Sequence, residues 1–402
     1  MSSAVPRNSD TQPDVRRALE LAMQLMPIAG RSGQEVPVAD FVRRELVRAG
    51  AAPSDLATDS AHRRTPGGGQ MGNLVLKLPG TVRGPRRMLS AHLDTVPICV
   101  GSQPQRKGDL IRSANPVTGL GADDRAGVAV ILNTALEILE RGLPHPPLTF
   151  CWFVQEEIGL HGSRCLTKSL LGKPAMAFNW DGGSPAKLTV GATGGYRLAI
   201  EILGLASHAG NSPEWGVSAI AIAALAIADL QRSGWHGDVR KGRQHGTCNV
   251  GVIQGGDATN VVTDRVSIRA EARSHQPRFR QRIVAQIEKA FQAAAAEVKN
   301  AAGATGSIKI DGRLDYESYR LSDREPCVRA AAEAVRITGR EPELAVTNGG
   351  LDANWLVRHG IPTVSLGCGQ LHPHTTSEAL LVPDFEDACR IALHLATDAN
   401  LR

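Results

Sequence analysis

The sequence predicts an α/β protein with a mostly parallel β-sheet and an inserted ferredoxin-like α+β domain. Three observations predict this class. The chain has 402 residues, more than one average domain needs. In its first half, short apolar runs that end in polar residues and glycines alternate with segments of helical periodicity, as in a parallel sheet covered by helices. From about Thr189 the order of elements becomes β-α-β-β-α-β, the ferredoxin-like motif.

These patterns divide the chain into three segments. We expect residues 1–188 and 317–402 to form the first domain together, and residues 189–316 to form the inserted domain. The inserted domain is expected to contain strands at 196–203, 247–253, 261–273 and 307–310 and helices at 216–231 and 276–298.

Composition and charge exclude several classes of protein. The net charge of +5 is spread over scattered arginine pairs, which argues against nucleic-acid binding. The longest apolar stretch, 217–230, is shorter than the roughly 20 residues that span a bilayer, and residues 1–7 lack the apolar core of a signal peptide. Seven cysteines without a C-x-x-C motif indicate reduced, buried thiols. We therefore expect a cytoplasmic protein without nucleic-acid or membrane partners.

The first domain begins with two predicted helices, at 14–25 and 36–47, and two predicted strands, at 73–78 and 87–91. His92 and Asp94 follow the second strand directly. In an extended chain they lie on one face, so the Asp94 carboxylate is placed to orient a metal-binding His92 imidazole.

Asp123 and Asp124 precede an apolar helix predicted over 128–139. Carboxylates at the N-terminus of a helix also cap it, so capping and metal binding remain equal alternatives for this pair.

Two further strands end in carboxylates. Glu156 and Glu157 follow a buried strand predicted near 148–154, and Asp181 follows a strand near 175–180. Adjacent residues that leave a strand point to different sides, so one glutamate is free to bind a metal while the other faces a substrate. An isolated Glu-Glu pair is also typical of a solvated turn.

The C-terminal segment predicts a helix at 328–336, a strand at 361–366 and a last helix from Phe385 to about Leu395. His372 and His374 follow the strand after a short glycine-containing turn.

Five candidate metal ligands each follow a predicted strand or strand-like run, where open α/β sheets bind ligands: His92, Asp123, Glu157, Asp181 and His374. Two imidazoles and three carboxylates suit two Zn²⁺ ions, or Co²⁺ or Mn²⁺, bridged by one carboxylate. One further carboxylate should remain unbound as a base.

Six motifs in chain order resemble the dinuclear metallopeptidases related to peptidase T (tripeptide aminopeptidase) and carboxypeptidase G, a superfamily that includes aminoacylases and desuccinylases. The motifs are HLDTV (92–96), GADDRAG (121–127), EEIG (156–159), DGG (181–183), SHAG (207–210) and HTTSE (374–378). The second and fourth favour the peptidase T-like branch. The resemblance implies a zinc-exopeptidase-like first domain and an inserted lid and dimerisation domain.

The resemblance also implies a role for each candidate residue of the first domain. Asp123 would bridge two metal ions, with His92 and Asp181 on one and Glu157 and His374 on the other. Asp94 would orient His92, Glu156 would be the general base, and the Asp123–Asp124 peptide bond would be cis. The sequence departs from the pattern at Arg125, where many relatives have Lys, and His372 is a second candidate beside His374. We expect His374 to be the ligand because it carries the Thr-Thr-Ser-Glu tail.

In the inserted domain the resemblance assigns His208 to the oxyanion, often across a homodimer interface. We expect Arg273 and Asn260 to bind a substrate carboxylate, because a guanidinium offers a two-point fork suited to it. His208 could instead be a surface loop residue, and Arg273 could instead pair with a carboxylate of its own domain.

The function expected from these residues is the hydrolysis of short peptides by an exopeptidase, with an aminopeptidase of the tripeptidase type favoured. A carboxypeptidase, or an amidohydrolase that removes acyl or carbamoyl groups from amino acids, would use the same metals and base. A binding protein that has lost catalysis would require a broken metal set, whereas every expected ligand and Glu156 are present.

Overall fold

The computed structural model describes residues 12–398, which form two compact units. The first unit contains the described residues up to Gly191, Arg320–Thr347 and the described residues from Leu351 onward. The second contains Ala192–Tyr319 and Asn348–Gly350. Residues 1–7, from which we argued against a signal peptide, lie outside the described residues. No helix within 12–398 combines the length and apolar character needed to span a membrane.

The α-helices of the described residues are α1 (Val15–Leu25), α2 (Val36–Arg48), α3 (Ala122–Arg141), α4 (His161–Arg164), α5 (Ala219–Arg232), α6 (Pro277–Glu297), α7 (Pro326–Ile337), α8 (Asp352–Arg358) and α9 (Val382–Thr397).

The strands are β1 (Leu56–Thr58), β2 (Leu74–Leu78), β3 (Arg87–His92), β4 (Pro104–Lys107), β5 (Leu110–Ser113), β6 (Leu148–Phe153), β7 (Met176–Trp180), β8 (Lys187–Ala192), β9 (Gly194–Leu203), β10 (Gly237–Lys241), β11 (Gln244–Gly255), β12 (Arg265–Ser274), β13 (Ser307–Tyr316), β14 (Tyr319–Arg320), β15 (Glu343–Thr347), β16 (Thr363–Leu366), β17 (Gln370–Leu371) and β18 (Ala379–Leu381).

The main sheet of the first unit has the strand order β1-β2-β6-β3-β7-β16-β8-β14, and β15 also pairs with β8. Its four central strands, β6, β3, β7 and β16, run parallel, while β1, β2 and β8 pair antiparallel on the flanks. All residues of β3, β6, β7 and β16 are buried, as expected of parallel strands covered on both faces. The predicted mostly parallel α/β class is confirmed.

Helix α3 links the sheet to the site, since it begins beside the candidate ligands and its residues from Ala122 to Ile138 are all buried. It packs against α1, α9 and β3. Its C-terminus is closed by Gly142 at φ 60°, a left-handed conformation that favours glycine. The helix predicted over 128–139 is present, but the observed helix is longer and begins at Ala122.

The second unit is a five-stranded antiparallel sheet in the order β10-β11-β12-β9-β13 with helices α5 and α6. The predicted β-α-β-β-α-β order is present, with the hairpin strand β10 added between α5 and β11. Prediction missed β10 because Val239 is its only apolar residue, too few to show the alternation of a strand.

A small second sheet of the first unit, β17-β18-β5-β4, was also missed. Its strands contain two to four residues, and β4 is polar and mostly exposed. It places β17, just before His372, beside β18, which follows Glu378. The segment that carries His374 is thus held at both ends by antiparallel pairing.

Candidate metal and catalytic site

The site begins at the carboxyl ends of three neighbouring parallel strands, β6, β3 and β7. His92 is the last residue of β3, Glu156 and Glu157 follow β6, and Asp181 follows β7. Carboxyl ends of parallel strands meet at one edge of the sheet, so these side chains converge although they are far apart in sequence.

Two triads of potential metal ligands share Asp123. The first consists of His92, Asp123 and Asp181, and the second of Asp123, Glu157 and His374; within each, the ligand atoms lie within 4.8 Å of one another. The five residues predicted as metal ligands are therefore brought together. They are also the only groups of this kind found among residues 12–398.

The two oxygens of Asp123 face two different imidazoles. His92 Nε2 lies 3.1 Å from Oδ1, and His374 Nε2 lies 3.1 Å from Oδ2. His374 Nε2 is also 2.9 Å from Glu157 Oε2. One carboxylate with an imidazole on each oxygen has the arrangement needed to bridge two cations.

The charges of these residues shift the pKa values of their neighbours. Burial raises the pKa of Asp181 to about 7, and the charge of Asp123 adds to the effect. Hydrogen bonds to Asp123 and Glu157 raise the pKa of His374 to about 10. A divalent cation bound here would compete with these protons for the same side chains. Imidazole and carboxylate ligands without cysteine fit Zn²⁺, Co²⁺ or Mn²⁺.

Asp94 was predicted to orient His92, and in the structure Asp94 contacts both the His92 imidazole and the main chain after β6. His92 Nδ1 is 3.0 Å from the main-chain oxygen of Asp94 and 3.5 Å from its Oδ1. The carboxylate accepts hydrogen bonds from the amides of Glu156 (3.0 Å) and Glu157 (3.2 Å). Sequence spacing could not reveal this second role, because the two amides lie more than 60 residues away along the chain.

Asp124 is the capping residue of the Asp-Asp pair. Its Oδ1 accepts from the amide of Gly127 (3.1 Å) in the first turn of α3, and its Oδ2 accepts from the amide of His92 (3.0 Å). The Asp123–Asp124 peptide bond is cis, which confirms the expectation drawn from the resemblance. Of the two alternatives left open, capping is observed for Asp124, and metal binding by Asp123 stays a prediction.

Glu378, at the end of the HTTSE motif, is a residue that sequence reasoning did not assign. It is buried, and its carboxylate accepts from the amides of Gly121 (2.7 Å) and Asp123 (3.0 Å). It therefore connects the segment of His374 to the segment of Asp123. The HTTSE motif contained a signal for this role, because its last residue, Glu378, had no other assigned function.

Glu156 belongs to neither triad. Burial raises its pKa well above the usual range; His92 opposes the rise, and the negative charges of Asp352, Asp181 and Glu157 add to it. A carboxyl group that lies outside both triads of candidate ligands and has a raised pKa is suited to accept and return a proton.

Arg125, at the position where the resemblance leads one to expect Lys, is fully buried. Its guanidinium donates to the main-chain oxygens of Leu93, between His92 and Asp94, and of Gly30. The longer, forked side chain thus ties the N-terminal segment to the turn after β3.

His208, Asn260 and Arg273 lie in the second unit. The exposed His208 accepts hydrogen bonds at Nδ1 from the amides of Gly210 (3.1 Å) and Asn211 (3.0 Å), so Nε2 carries the proton and is a donor. The main-chain oxygen of Asn260 accepts from the amide of Ala209 (2.9 Å), which brings the His208 and Asn260 segments together.

Arg273 forms a two-point ion pair with Glu271, at 2.9 and 3.0 Å. Its remaining nitrogen, Nη1, is 3.4 Å from the main-chain oxygen of Asn348. This is the pairing considered above as the alternative to substrate binding. A substrate carboxylate would have to compete with Glu271 or approach Nη1.

Comparisons with known proteins agree with this geometry. The family model described as peptidase family M20/M25/M40 matches residues 88–398. A tripeptidase structure from Staphylococcus aureus superimposes with a TM-score of 0.86 at 30% identity, covering 96% of this chain and 99% of that one. The aminopeptidase PepT of Bacillus cereus gives 0.82 at 30% identity, covering 96% and 98%. The uncharacterized protein YqjE of Bacillus subtilis is 30% identical, covering 96% of this chain and 98% of its own.

The two histidines of the C-terminal segment provide a matched test of the ligand set. His374→Ala should lower bound metal by about one equivalent, because it removes the imidazole of the second triad. His372→Ala, two residues away and outside both triads, should keep the wild-type metal content. Metal analysis after dialysis measures both. Loss of metal from His372→Ala with normal content in His374→Ala would reverse the assignment.

Proposed function

The chain belongs to peptidase family M20/M25/M40, and we propose that this hydrolase is a dinuclear metallo-exopeptidase that cleaves short peptides as an aminopeptidase of the tripeptidase type. The observation that carries the proposal is the Asp123 carboxylate shared by two ligand triads, with Glu156 beside them and outside both. The similarity to a tripeptidase and to aminopeptidase PepT over nearly the whole chain supports the substrate class.

Two divalent ions, preferably Zn²⁺, would be held by His92 and Asp181 on one side of Asp123 and by Glu157 and His374 on the other. When bound, they polarise the scissile carbonyl and make water a stronger acid. The protein supplies the geometry for this through main-chain hydrogen bonds, since Asp124 holds the amide of His92 and Glu378 holds the amide of Asp123.

Glu156 is the proposed general base. It takes a proton from the attacking water, and the same carboxyl group then donates that proton to the nitrogen of the leaving amine. Because the proton is returned within one cycle, a raised pKa favours both halves of the reaction. The amide of Glu156 donates to the Asp94 carboxylate, and this hydrogen bond fixes the main chain from which the Glu156 side chain extends.

We further propose that residues of the second unit complete substrate binding. His208 Nε2 would donate to the developing oxyanion, and Arg273 with Asn260 would bind the free carboxylate of the peptide. In this proposal the second unit acts as the lid and dimerisation domain, and His208 comes from the partner subunit of a homodimer.

A surface of the second unit supports the homodimer. Strand β10 pairs with β11 only from Gln244 to Cys248, so β11 continues to Gly255 with β12 on its other side only. Ile253 on this edge and Ile220 on α5 are about half exposed, at 51% and 46%. An apolar surface with an unpaired strand edge is suited to pairing with its symmetry mate.

A cytoplasmic location remains a prediction from the sequence.

A panel of tripeptides, N-blocked tripeptides and N-acyl or N-carbamoyl amino acids tests the proposed activity. Release of the first residue from tripeptides with a free amino group would support the aminopeptidase. Preferential cleavage of the N-acyl or N-carbamoyl amino acids would favour the amidohydrolase, and release of the last residue would favour the carboxypeptidase.

Adjacent glutamates allow the roles of base and ligand to be separated. Glu156→Gln should keep nearly full metal content and lose about 10²- to 10⁴-fold in kcat, because it removes the proton acceptor. Glu157→Gln should lower metal content because it removes a ligand of the second triad. Metal analysis and tripeptide kinetics on the same samples measure both effects. Equal metal loss in the two variants, with equal residual rates, would contradict this division of roles.

The role of Arg273 is tested with peptides that carry a free carboxylate or an amide at the C-terminus. Arg273→Ala should raise KM for the free-carboxylate peptides by about 10-fold or more, since a hydrogen bond to a charged group is worth about 1.5–3 kcal/mol. It should change KM for the amides little. The control is Arg269→Ala, an exposed arginine four residues earlier on β12. Equal changes for peptides and amides would exclude carboxylate recognition by Arg273.

Mixing two inactive variants tests whether His208 acts across a dimer. His208→Ala should lose about 10²- to 10³-fold in kcat, as expected for one oxyanion donor, and should stay folded and metal-loaded. After subunit exchange with Glu156→Ala, hybrid dimers should regain activity through one site that has both residues. Absence of recovery in verified hybrids would mean that His208 does not act from the partner subunit.

A further inference from the structure

Three consecutive amides of the turn after β6 donate to two buried carboxylates. The amide of Gln155 donates to Glu35 Oε1 at 3.1 Å. The next two amides, of Glu156 and Glu157, donate to the two oxygens of Asp94 at 3.0 and 3.2 Å. This turn carries both the proposed base and a candidate metal ligand. Its position is therefore determined by Glu35 and Asp94 together.

Glu35 comes from the N-terminal part of the chain, outside the region matched by the family model. It is completely buried, and its Oε1 also accepts from the amide of Gly33 at 2.6 Å. Its other oxygen, Oε2, is buried without a hydrogen-bond partner among the described residues. Burying a carboxyl group with half of its acceptor capacity unused costs stability, which argues that folding alone does not explain this residue.

Helix capping does not account for Glu35 either. The residue occupies the N-cap position of α2, but its side chain makes no capping hydrogen bond there. The carboxyl group points instead to the turn after β6, 120 residues along the chain. Gln155 has a positive φ of 54°, a conformation that non-glycine residues adopt only when their surroundings hold them.

We propose that Glu35 is a positioning residue for the reaction: by accepting the Gln155 amide, it fixes the turn from which the side chains of Glu156 and Glu157 extend. The proposal rests on the function proposed above for the roles of these two glutamates. Asp94 holds the second and third amides, and Glu35 holds the first, so that removal of Glu35 releases the turn at its start. A displacement of about 1 Å at reacting groups can cost about 10²-fold in rate.

Glu35→Ala is the direct test. It removes the acceptor of the Gln155 amide and should lower kcat by about 10- to 100-fold while KM for a tripeptide changes less than about 3-fold. It should also weaken binding of one metal equivalent, because Glu157 starts from the same turn. Glu35→Gln keeps an oxygen at the position of Oε1 and should restore most of kcat and of the metal affinity.

Two further variants separate positioning from simple loss of stability. Glu35→Asp keeps the charge but withdraws the acceptor by one methylene, so it should behave like Glu35→Ala; it also serves if the alanine variant does not fold. Glu137→Ala is the matched control, because Glu137 is buried, accepts the amide of Asp14 (2.8 Å), and lies 14 residues beyond Asp123 on α3, about 21 Å along the helix axis.

The proposal is overturned if Glu35→Asp, or a folded Glu35→Ala, keeps wild-type kcat and metal affinity, or if Glu35→Gln is as impaired as Glu35→Ala. It is also overturned if Glu137→Ala, at a similar loss of stability, reproduces the same kinetic and metal-binding changes. Failure of the proposed function is a different result, since the wild-type protein would then not hydrolyse tripeptides. Metal affinity, measured by competition with a chromophoric chelator, still reports on Glu35 in that case.

Discussion

The carboxylate of Asp123 is the constraint on which the site depends, because each of its oxygens faces an imidazole from a different part of the chain. His92 reaches it from the end of β3, and His374 reaches it from the segment between β17 and β18. Asp123 therefore belongs to both triads, and each triad contains one of the two imidazoles. The parallel order of β6, β3 and β7 brings His92, Glu157 and Asp181 to one edge of the sheet, and the pairing of β17 with β18 holds the segment of His374.

Buried carboxylates outside the triads hold the groups that carry the chemistry. Asp94, Asp124 and Glu378 accept hydrogen bonds from main-chain amides of Glu156 and Glu157, of His92, and of Asp123, respectively. Carboxylates that accept amide hydrogen bonds fix the backbone from which a ligand extends, which is more rigid than contact with the end of a flexible side chain. The dense negative charge that results is suited to divalent cations and unfavourable without a positive partner.

Much of the first unit could be predicted because its chemistry follows directly on strong local signals. The strands that lead to His92, Glu156 and Asp181 are mostly apolar and completely buried, and a carboxylate or imidazole after such a strand marks the edge of a parallel sheet. The orientation of His92 by Asp94 was predicted, but the amide hydrogen bonds that Asp94, Glu378 and Glu35 accept were not, because a main-chain amide has no identity in the sequence. Strands β10 and β4 were missed because they are short and polar, and β5, β17 and β18 because two to four residues are too few to show a period; such strands are stabilised by pairing.

The shared role of Asp123 is tested most directly by crystals grown with Zn²⁺ and measured at wavelengths on both sides of the zinc absorption edge. We expect two anomalous peaks about 3.5–4 Å apart, with one oxygen of Asp123 on each and with Glu156 bound to neither. A single peak, or two peaks of which only one contacts Asp123, would contradict the bridging carboxylate and with it the proposed division of the ligands between two metals.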